Sequence, residues 1–255
     1  MRVTTTSTST ATLAVPYTCR CAFCGATIQG EEKITVEGHA FAGGYVTQSQ
    51  GEMMKLSASL QASANVPFEL EYAEKRLEHY RQIVSSGKLK AFLETGKERR
   101  EDYFQVDRDS PLGKYLRYGP NKTRMIAYPY NWKVFNRKTS VKCPACGKTQ
   151  PWCETMDGEG AGIKAFFLSC GVLVLGLVPF RAGLTLPKEL ELLAYIPFAL
   201  WVASSVLIYK ALRKKQLARL AALPWNADDL PRFDEDFLAG QKARYQQAGD
   251  MGIMP

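Results

Sequence analysis

Two copies of the pattern C-x-x-C-G, far apart in the chain, constrain the fold more than any other feature. The first covers residues 21–25 and the second residues 143–147, and Cys24 and Cys143 are 119 positions apart. Two such pairs together supply four thiolates, which is the ligand set of a closed structural zinc site. The glycine after each pair tolerates the positive φ of a tight turn whose N–H groups face the sulfurs. We therefore expect the two pairs to meet in space, with the intervening chain as an insertion.

Residues 17–28 and 141–150 resemble the two knuckles of the zinc-ribbon superfamily. The resemblance implies a small antiparallel fold around Zn²⁺, used for interaction or stability, with the ligands Cys21, Cys24, Cys143 and Cys146. A metal held by four cysteines has no open coordination position, so we do not expect it to be catalytic. The knuckles are also similar to those of rubredoxin, which binds iron and transfers electrons. The long insertion and the lack of an evident aromatic core depart from rubredoxin, so iron is the alternative metal.

Each cysteine pair has a third thiol nearby, Cys19 before the first and Cys153 after the second. We interpret both as non-ligands, because C-x-C strains the local geometry and the two pairs already fill a tetrahedral site. Two other interpretations remain open. In one, Cys19 or Cys153 is an alternative ligand, and in the other both join the four cysteines in a two-metal cluster of six thiolates. The N-terminus has no secretory signal pattern, so we expect reduced, metal-bound thiols rather than disulfides. His39 would be a ligand only if one of the four cysteines were not.

The hydrophobic pattern predicts helices and strands, and with the split zinc ribbon that the resemblance implies, its metal held by four cysteines, the expected fold class is α+β. Residues 1–16 are rich in Thr and Ser and are expected to form a disordered tail. Residues 17–160 are assigned to a cytoplasmic zinc-ribbon domain, with a half-buried strand at 33–36. Apolar spacing of three and four predicts helices at 52–64 and 68–86, with a shorter helical piece at 89–94. These helices form a hairpin inserted at about residues 50–106.

Residues 110–142 combine basic and aromatic side chains and contain no Asp or Glu. Short strands are expected at 125–128 and 132–135. The most economical interpretation is a basic β-surface beside the ribbon whose aromatic residues are core. The functional alternatives are contact with anionic lipid head groups or with single-stranded nucleic acid, and lipid ranks first of these two. The candidate contact residues here are Lys133, Arg137 and Lys138.

Two uncharged apolar runs, 165–180 and 192–209, approach the length of membrane spans. They predict a transmembrane hairpin with helices at 162–180 and 191–209, and a buried helical hairpin is the alternative. More basic residues flank the two runs than lie in the loop that links them. Because basic residues favour the cytoplasmic side, both termini are expected in the cytoplasm and the loop 181–191 on the external side. Residues 210–255 then form a basic juxtamembrane helix and an acidic tail. Leu212, Leu217, Leu220 and Leu223 are expected at the lipid boundary, and Arg213, Lys214 and Lys215 at the head groups.

The sequence contains no H-E-x-x-H, no G-x-S-x-G and no P-loop, so we do not expect an enzyme. The net charge of +8 is a mild basic bias, which makes nucleic acid an unfavoured partner. The favoured function is a non-enzymatic adaptor or regulatory module at the cytoplasmic face of the membrane, binding the lipid bilayer and another protein. A rubredoxin-like or thiol-based redox protein and a membrane-tethered nucleic-acid-binding module are the alternatives.

Overall fold

A long β-hairpin carries the first cysteine pair at its tip. The computed structural model describes residues 4–44, 46–97, 99–118, 126–127, 134–135, 140–154, 159–181 and 196–250. Strands β1 (Thr4–Arg20) and β2 (Thr27–Gly43) pair antiparallel along their whole length, from Thr4 opposite Gly43 to Arg20 opposite Thr27. The prediction of a disordered tail at 1–16 is therefore wrong from Thr4 onward. Threonine is β-branched and suits a strand, and β2 supplies the pairing partner.

Three helices follow the hairpin and confirm the predicted helical segments. Helix α1 (Gln48–Ala64) begins with a capping box, in which Thr47 and Gln50 satisfy each other's backbone N–H groups. Helix α2 (Val66–Ser85) has its proline at the start, where the missing N–H costs nothing. Helix α3 (Lys88–Thr95) follows Gly87, which has a positive φ of 73°. Helix α1 packs on both strands of the hairpin and buries Ala58 and Ala62 against them.

The region between α3 and the second cysteine pair contains short elements. Strand β3 (Phe104–Gln105) pairs with β4 (Ile126–Ala127), which falls within the predicted strand at 125–128. Helix α4 (Pro111–Tyr118) was not predicted. Of the strand expected at 132–135, only residues 134–135 are described, and both are buried.

The predicted transmembrane hairpin is wrong, because none of the helices in the described part of the chain is long and apolar enough to cross a bilayer. The apolar runs form helices α5 (Glu159–Arg181) and α6 (Ile196–Ala221). The assignment as an integral membrane protein is therefore not supported either. Residues 182–191 of the predicted loop, and the start of the second predicted span up to residue 195, lie outside the described residues.

Helices α5 and α6 pack against each other. The rings of Phe166 and Trp201 meet edge to face with centroids 5.9 Å apart, and the Ser205 hydroxyl donates to the Ser169 hydroxyl. Their other sides carry exposed apolar side chains, among them Phe167, Leu168, Phe198 and Leu207.

The C-terminal part of the chain contributes to the protein core. The basic half of α6 buries Leu217 and Leu220, which belong to the same core cluster as Val15 of β1 and Leu70 of α2. Strand β5 (Arg232–Phe233) then pairs with β1 and gives the sheet the order β2-β1-β5. Helix α7 (Glu235–Asp250) ends the described chain. A basic amphipathic helix suits either a lipid surface or an apolar protein surface, and here α6 packs on protein.

Candidate metal centre

The first knuckle is the turn that joins β1 to β2. The N–H of Cys21 donates to the carbonyl of Ala26 at 2.8 Å, and the N–H of Gly25 donates to the carbonyl of Cys21 at 2.9 Å. Gly25 has a φ of 74°, in the left-handed region that side chains disfavour. Strand pairing up to Arg20 and Thr27 fixes the base of this turn.

The second knuckle repeats the same backbone pattern. The N–H of Cys143 donates to the carbonyl of Lys148 at 3.0 Å, and the N–H of Gly147 donates to the carbonyl of Cys143 at 2.8 Å. Gly147 has a φ of 70°, so both knuckle glycines adopt the predicted positive φ. A β-bridge between Lys142 and Thr149 closes the base of the turn.

The two knuckles meet and bring four sulfur atoms together, as the spacing predicted. The Sγ atoms of Cys21, Cys24, Cys143 and Cys146 all lie within 4.8 Å of one another. Sγ of Cys21 is 3.6 Å from that of Cys146, and Sγ of Cys24 is 3.6 Å from that of Cys143. A zinc–sulfur bond of about 2.3 Å in a tetrahedron corresponds to sulfur separations of about 3.8 Å. The four cysteines are therefore close enough to hold a metal ion, and their geometry resembles that of a zinc ribbon.

The pKa values of Cys21 and Cys24, in the first knuckle, are shifted in opposite directions. Burial opposes ionisation of Cys21, but the N–H groups of Phe23 and Cys24 and the amide of Gln150 outweigh it and lower its pKa to about 6. For Cys24 the N–H of Ala26 favours the thiolate, but the neighbouring sulfurs, Cys21 first, together with desolvation raise its pKa to about 12. Four adjacent thiolates repel one another, so full ionisation of the cluster requires a bound cation.

Gln150 is a site residue that the sequence did not reveal. Its side chain is buried and donates from Nε2 to Sγ of Cys21 at 3.4 Å. Its Oε1 accepts the backbone N–H of Ala22 at 3.0 Å. A glutamine beside a knuckle is ordinarily an exposed polar residue, and its distant partners leave no local signal in the sequence.

Cys19 and Cys153 are not among the four clustered sulfurs. Burial, followed by the proximity of Cys153, raises the pKa of Cys19 to about 12. Burial also raises the pKa of Cys153 to about 11, and the Val141 N–H donates to its Sγ at 3.3 Å. The raised pKa favours the neutral form of both thiols, and their Sγ atoms lie outside the four-sulfur cluster.

Aromatic rings from four separate segments pack beside the knuckles. Phe135 lies 4.9 Å from Tyr17, 5.4 Å from Trp152 and 6.1 Å from Phe233, between ring centroids. Tyr17 lies two positions before Cys19, and Trp152 lies immediately before Cys153. An aromatic core therefore does lie beside the knuckles. It was not evident in the sequence because its members are far apart in the chain.

The remaining candidate residues lie away from the cysteine cluster or outside the described residues. Lys133, Arg137 and Lys138 lie outside them. Arg213, Lys214 and Lys215 are on α6, where Arg213 lies over the Phe92 ring at 5.9 Å and donates to Gln216. Nδ1 of His39 lies 3.2 Å from the Thr8 hydroxyl, and Thr8 is thirteen positions before Cys21 in the chain. His39 is not part of the four-cysteine cluster.

The chain matches no protein-family model, no curated protein and no solved structure.

Proposed function

We propose that this protein is a non-enzymatic adaptor built around one structural Zn²⁺, bound by Cys21, Cys24, Cys143 and Cys146. The observation that carries the proposal is the cluster of four sulfurs within 4.8 Å of one another. Four protein thiolates complete a tetrahedral shell and leave no position for a substrate or an activated water. Paired C-x-x-C knuckles that close such a shell are the usual structural type of zinc site.

The position of the cluster supports a structural role for the metal. One pair of ligands lies at the tip of the β1–β2 hairpin, and the other lies in the segment 140–154 that precedes α5. A bound ion would tie these two segments together, and its binding free energy would contribute to folding. The role we assign to it is to hold the hairpin in one orientation, so that another protein meets a fixed surface.

The second candidate is a rubredoxin-like iron protein that transfers electrons. The aromatic cluster of Tyr17, Phe135, Trp152 and Phe233 favours this candidate, because it supplies the core whose apparent lack argued against it. Iron and zinc both accept four thiolates, so ligand type does not separate them.

Metal analysis of the purified protein separates the two candidates. We expect one zinc per chain and no visible absorbance, with the zinc lost in Cys146→Ser and retained in Cys170→Ser. Cys170 lies in α5 and outside both knuckles, so it is the matched control. One iron per chain, with absorbance that is bleached reversibly by a reductant, would support the second candidate and reject the first.

The adaptor role is tested by the metal dependence of binding. A protein that co-purifies with the wild type and with Cys170→Ser but not with Cys146→Ser would support it. Equal recovery by all three would contradict a role for the metal in presenting the binding surface.

A further inference from the structure

A single side chain, that of Gln150, bonds to both knuckles. Its Oε1 accepts the N–H of Ala22 at 3.0 Å, and its Nε2 donates to Sγ of Cys21 at 3.4 Å. The same Nε2 donates to the carbonyl of Lys148 at 3.2 Å, within the second knuckle. A primary amide has two N–H donors, and both are used here. The residue thus joins two segments of chain that are 128 positions apart.

The backbone of Gln150 is fixed as firmly as its side chain. Its N–H donates to the carbonyl of Val141 at 3.0 Å, and its carbonyl accepts the N–H of Cys153 at 3.1 Å. The side chain is 0% exposed, so water does not compete for its amide. A buried, fully bonded side chain with an anchored backbone has little freedom to move, and it holds its partners in one geometry.

We propose that Gln150 is a positioning residue that assembles the four thiolates and slows the release of the bound metal. The inference rests on the proposed zinc site. Four thiolates around Zn²⁺ carry net negative charge, and N–H donors to sulfur stabilise that charge. Gln150 adds a side-chain donor to Cys21, beside the backbone donors of Phe23 and Cys24.

The chemistry of the amide restricts which residues can replace it. Asparagine is one methylene shorter and does not span the distance from this backbone to both knuckles. Ionised glutamate has the same reach but only accepts hydrogen bonds, so it loses both donations and adds negative charge beside the sulfurs. Methionine has a similar length and volume and carries no N–H donor, which makes it the most selective test of the hydrogen bonds.

The test compares zinc release from wild type, Gln150→Met and a control, Gln29→Met. Gln29 is an exposed residue on β2, close to the first knuckle in sequence. Full-length zinc-loaded protein is mixed with excess chromophoric chelator and the release rate is measured. We expect release from Gln150→Met to be about tenfold faster or more, as is typical for residues that contact metal ligands, and the control to be unchanged.

A second measurement distinguishes positioning from space filling. With Co²⁺ in place of zinc, the thiolate-to-cobalt charge-transfer band reports directly on the sulfurs. The band should shift in Gln150→Met, because the Cys21 sulfur loses a donor, and should not shift in Gln29→Met. A residue that only fills volume would leave the band in place when replaced by methionine.

Wild-type release and an unshifted band in Gln150→Met would overturn the inference and leave the zinc site intact. A Gln150→Met chain that does not fold with saturating zinc would also overturn it, because Gln150 would then serve core stability. A wild-type protein that binds no metal would instead overturn the proposed function itself, and this inference with it.

Discussion

Gly38 of β2 lies directly against the backbone of Ala58 in α1, since a Cβ on Gly38 would be 2.0 Å from the Ala58 carbonyl oxygen. The same Cβ would be 2.4 Å from the N atom of Ala62. Helix α1 therefore sits on the hairpin at a distance that only glycine permits. In Gly38→Ala the new Cβ would clash with backbone atoms of α1. Rotation of a side chain cannot relieve this clash, so the backbone itself must move.

We expect Gly38→Ala to lower the free energy of unfolding by about 2 kcal/mol or more. Overpacking a protein core typically costs about 1–3 kcal/mol, and a clash with backbone belongs at the upper end of that range or above it. Gly43→Ala is the matched control, since it lies on the same strand and its Cβ would meet nothing within 4 Å. Chemical denaturation of the two variants measures the difference. Equal stability of Gly38→Ala and Gly43→Ala would contradict the close packing of α1 on β2.

The docking of α6 on the protein core predicts a contrast between two leucines of this helix. Leu220 is 0% exposed in the core cluster, whereas Leu207 is 67% exposed. Leu220→Ala should cost about 2–5 kcal/mol, as buried leucines do when they leave a cavity. Leu207→Ala should cost much less, because it buries little surface. If Leu220→Ala lost as little stability as Leu207→Ala, the basic half of α6 would not be part of the core.

Gly147 provides a test of the knuckle geometry. Its φ of 70° is strained for alanine, although a Cβ there would meet nothing within 4 Å. Gly147→Ala should therefore cost about 1–2 kcal/mol through the backbone alone. Gly240 in α7 has equal space and no positive φ, so Gly240→Ala should be neutral or stabilising. In thermal melts of the zinc-loaded proteins, the melting temperature should fall in Gly147→Ala and should not fall in Gly240→Ala. An equal decrease in both variants would contradict the assigned turn.

His79 of α2 predicts a pH dependence of stability. Burial lowers its pKa, and its Nε2 lies 2.9 Å from the Asp102 carbonyl, to which it donates. The folded state therefore holds the neutral form, and the unfolded state binds the proton more readily. The free energy of unfolding is therefore unaffected by His79 protonation above the unfolded-state pKa of about 6.5. It decreases as the pH falls through that value towards the lower pKa of the folded state.

The measurement compares wild type with His79→Gln at pH 7.5 and pH 5.5. Acid also protonates thiolates and weakens metal binding, so only the difference between the two proteins reports on His79. We expect wild type to lose more stability than His79→Gln on acidification. A difference that stays constant between the two pH values would contradict a buried neutral histidine.

Local spacing in the sequence was enough to predict the parts of the fold that depend on it. The C-x-x-C-G pattern places two thiols and a positive-φ glycine within five residues, so each knuckle is specified by its own segment. The apolar spacing of α2 predicts its buried face, which includes Leu70 and Leu77.

Features that depend on distant partners were missed or misread. Strand β1 carries Thr and Ser without an apolar face along its first residues, and only pairing with β2 makes it a strand. Gln150 and Phe135 acquire their roles from residues far away in the chain. Leu217 and Leu220 suit lipid and protein equally well, so hydrophobicity alone assigned them to the wrong environment.

The most direct test of the central claim is X-ray absorption at the metal edge of the purified, full-length protein. A closed mononuclear site predicts four sulfur neighbours at about 2.3 Å from zinc, with no second metal nearby. It predicts the same spectrum in Cys19→Ser and Cys153→Ser, because neither sulfur belongs to the four-sulfur cluster. A coordination sphere containing nitrogen or oxygen, or a zinc–zinc vector that disappears in Cys19→Ser, would contradict the four-thiolate site.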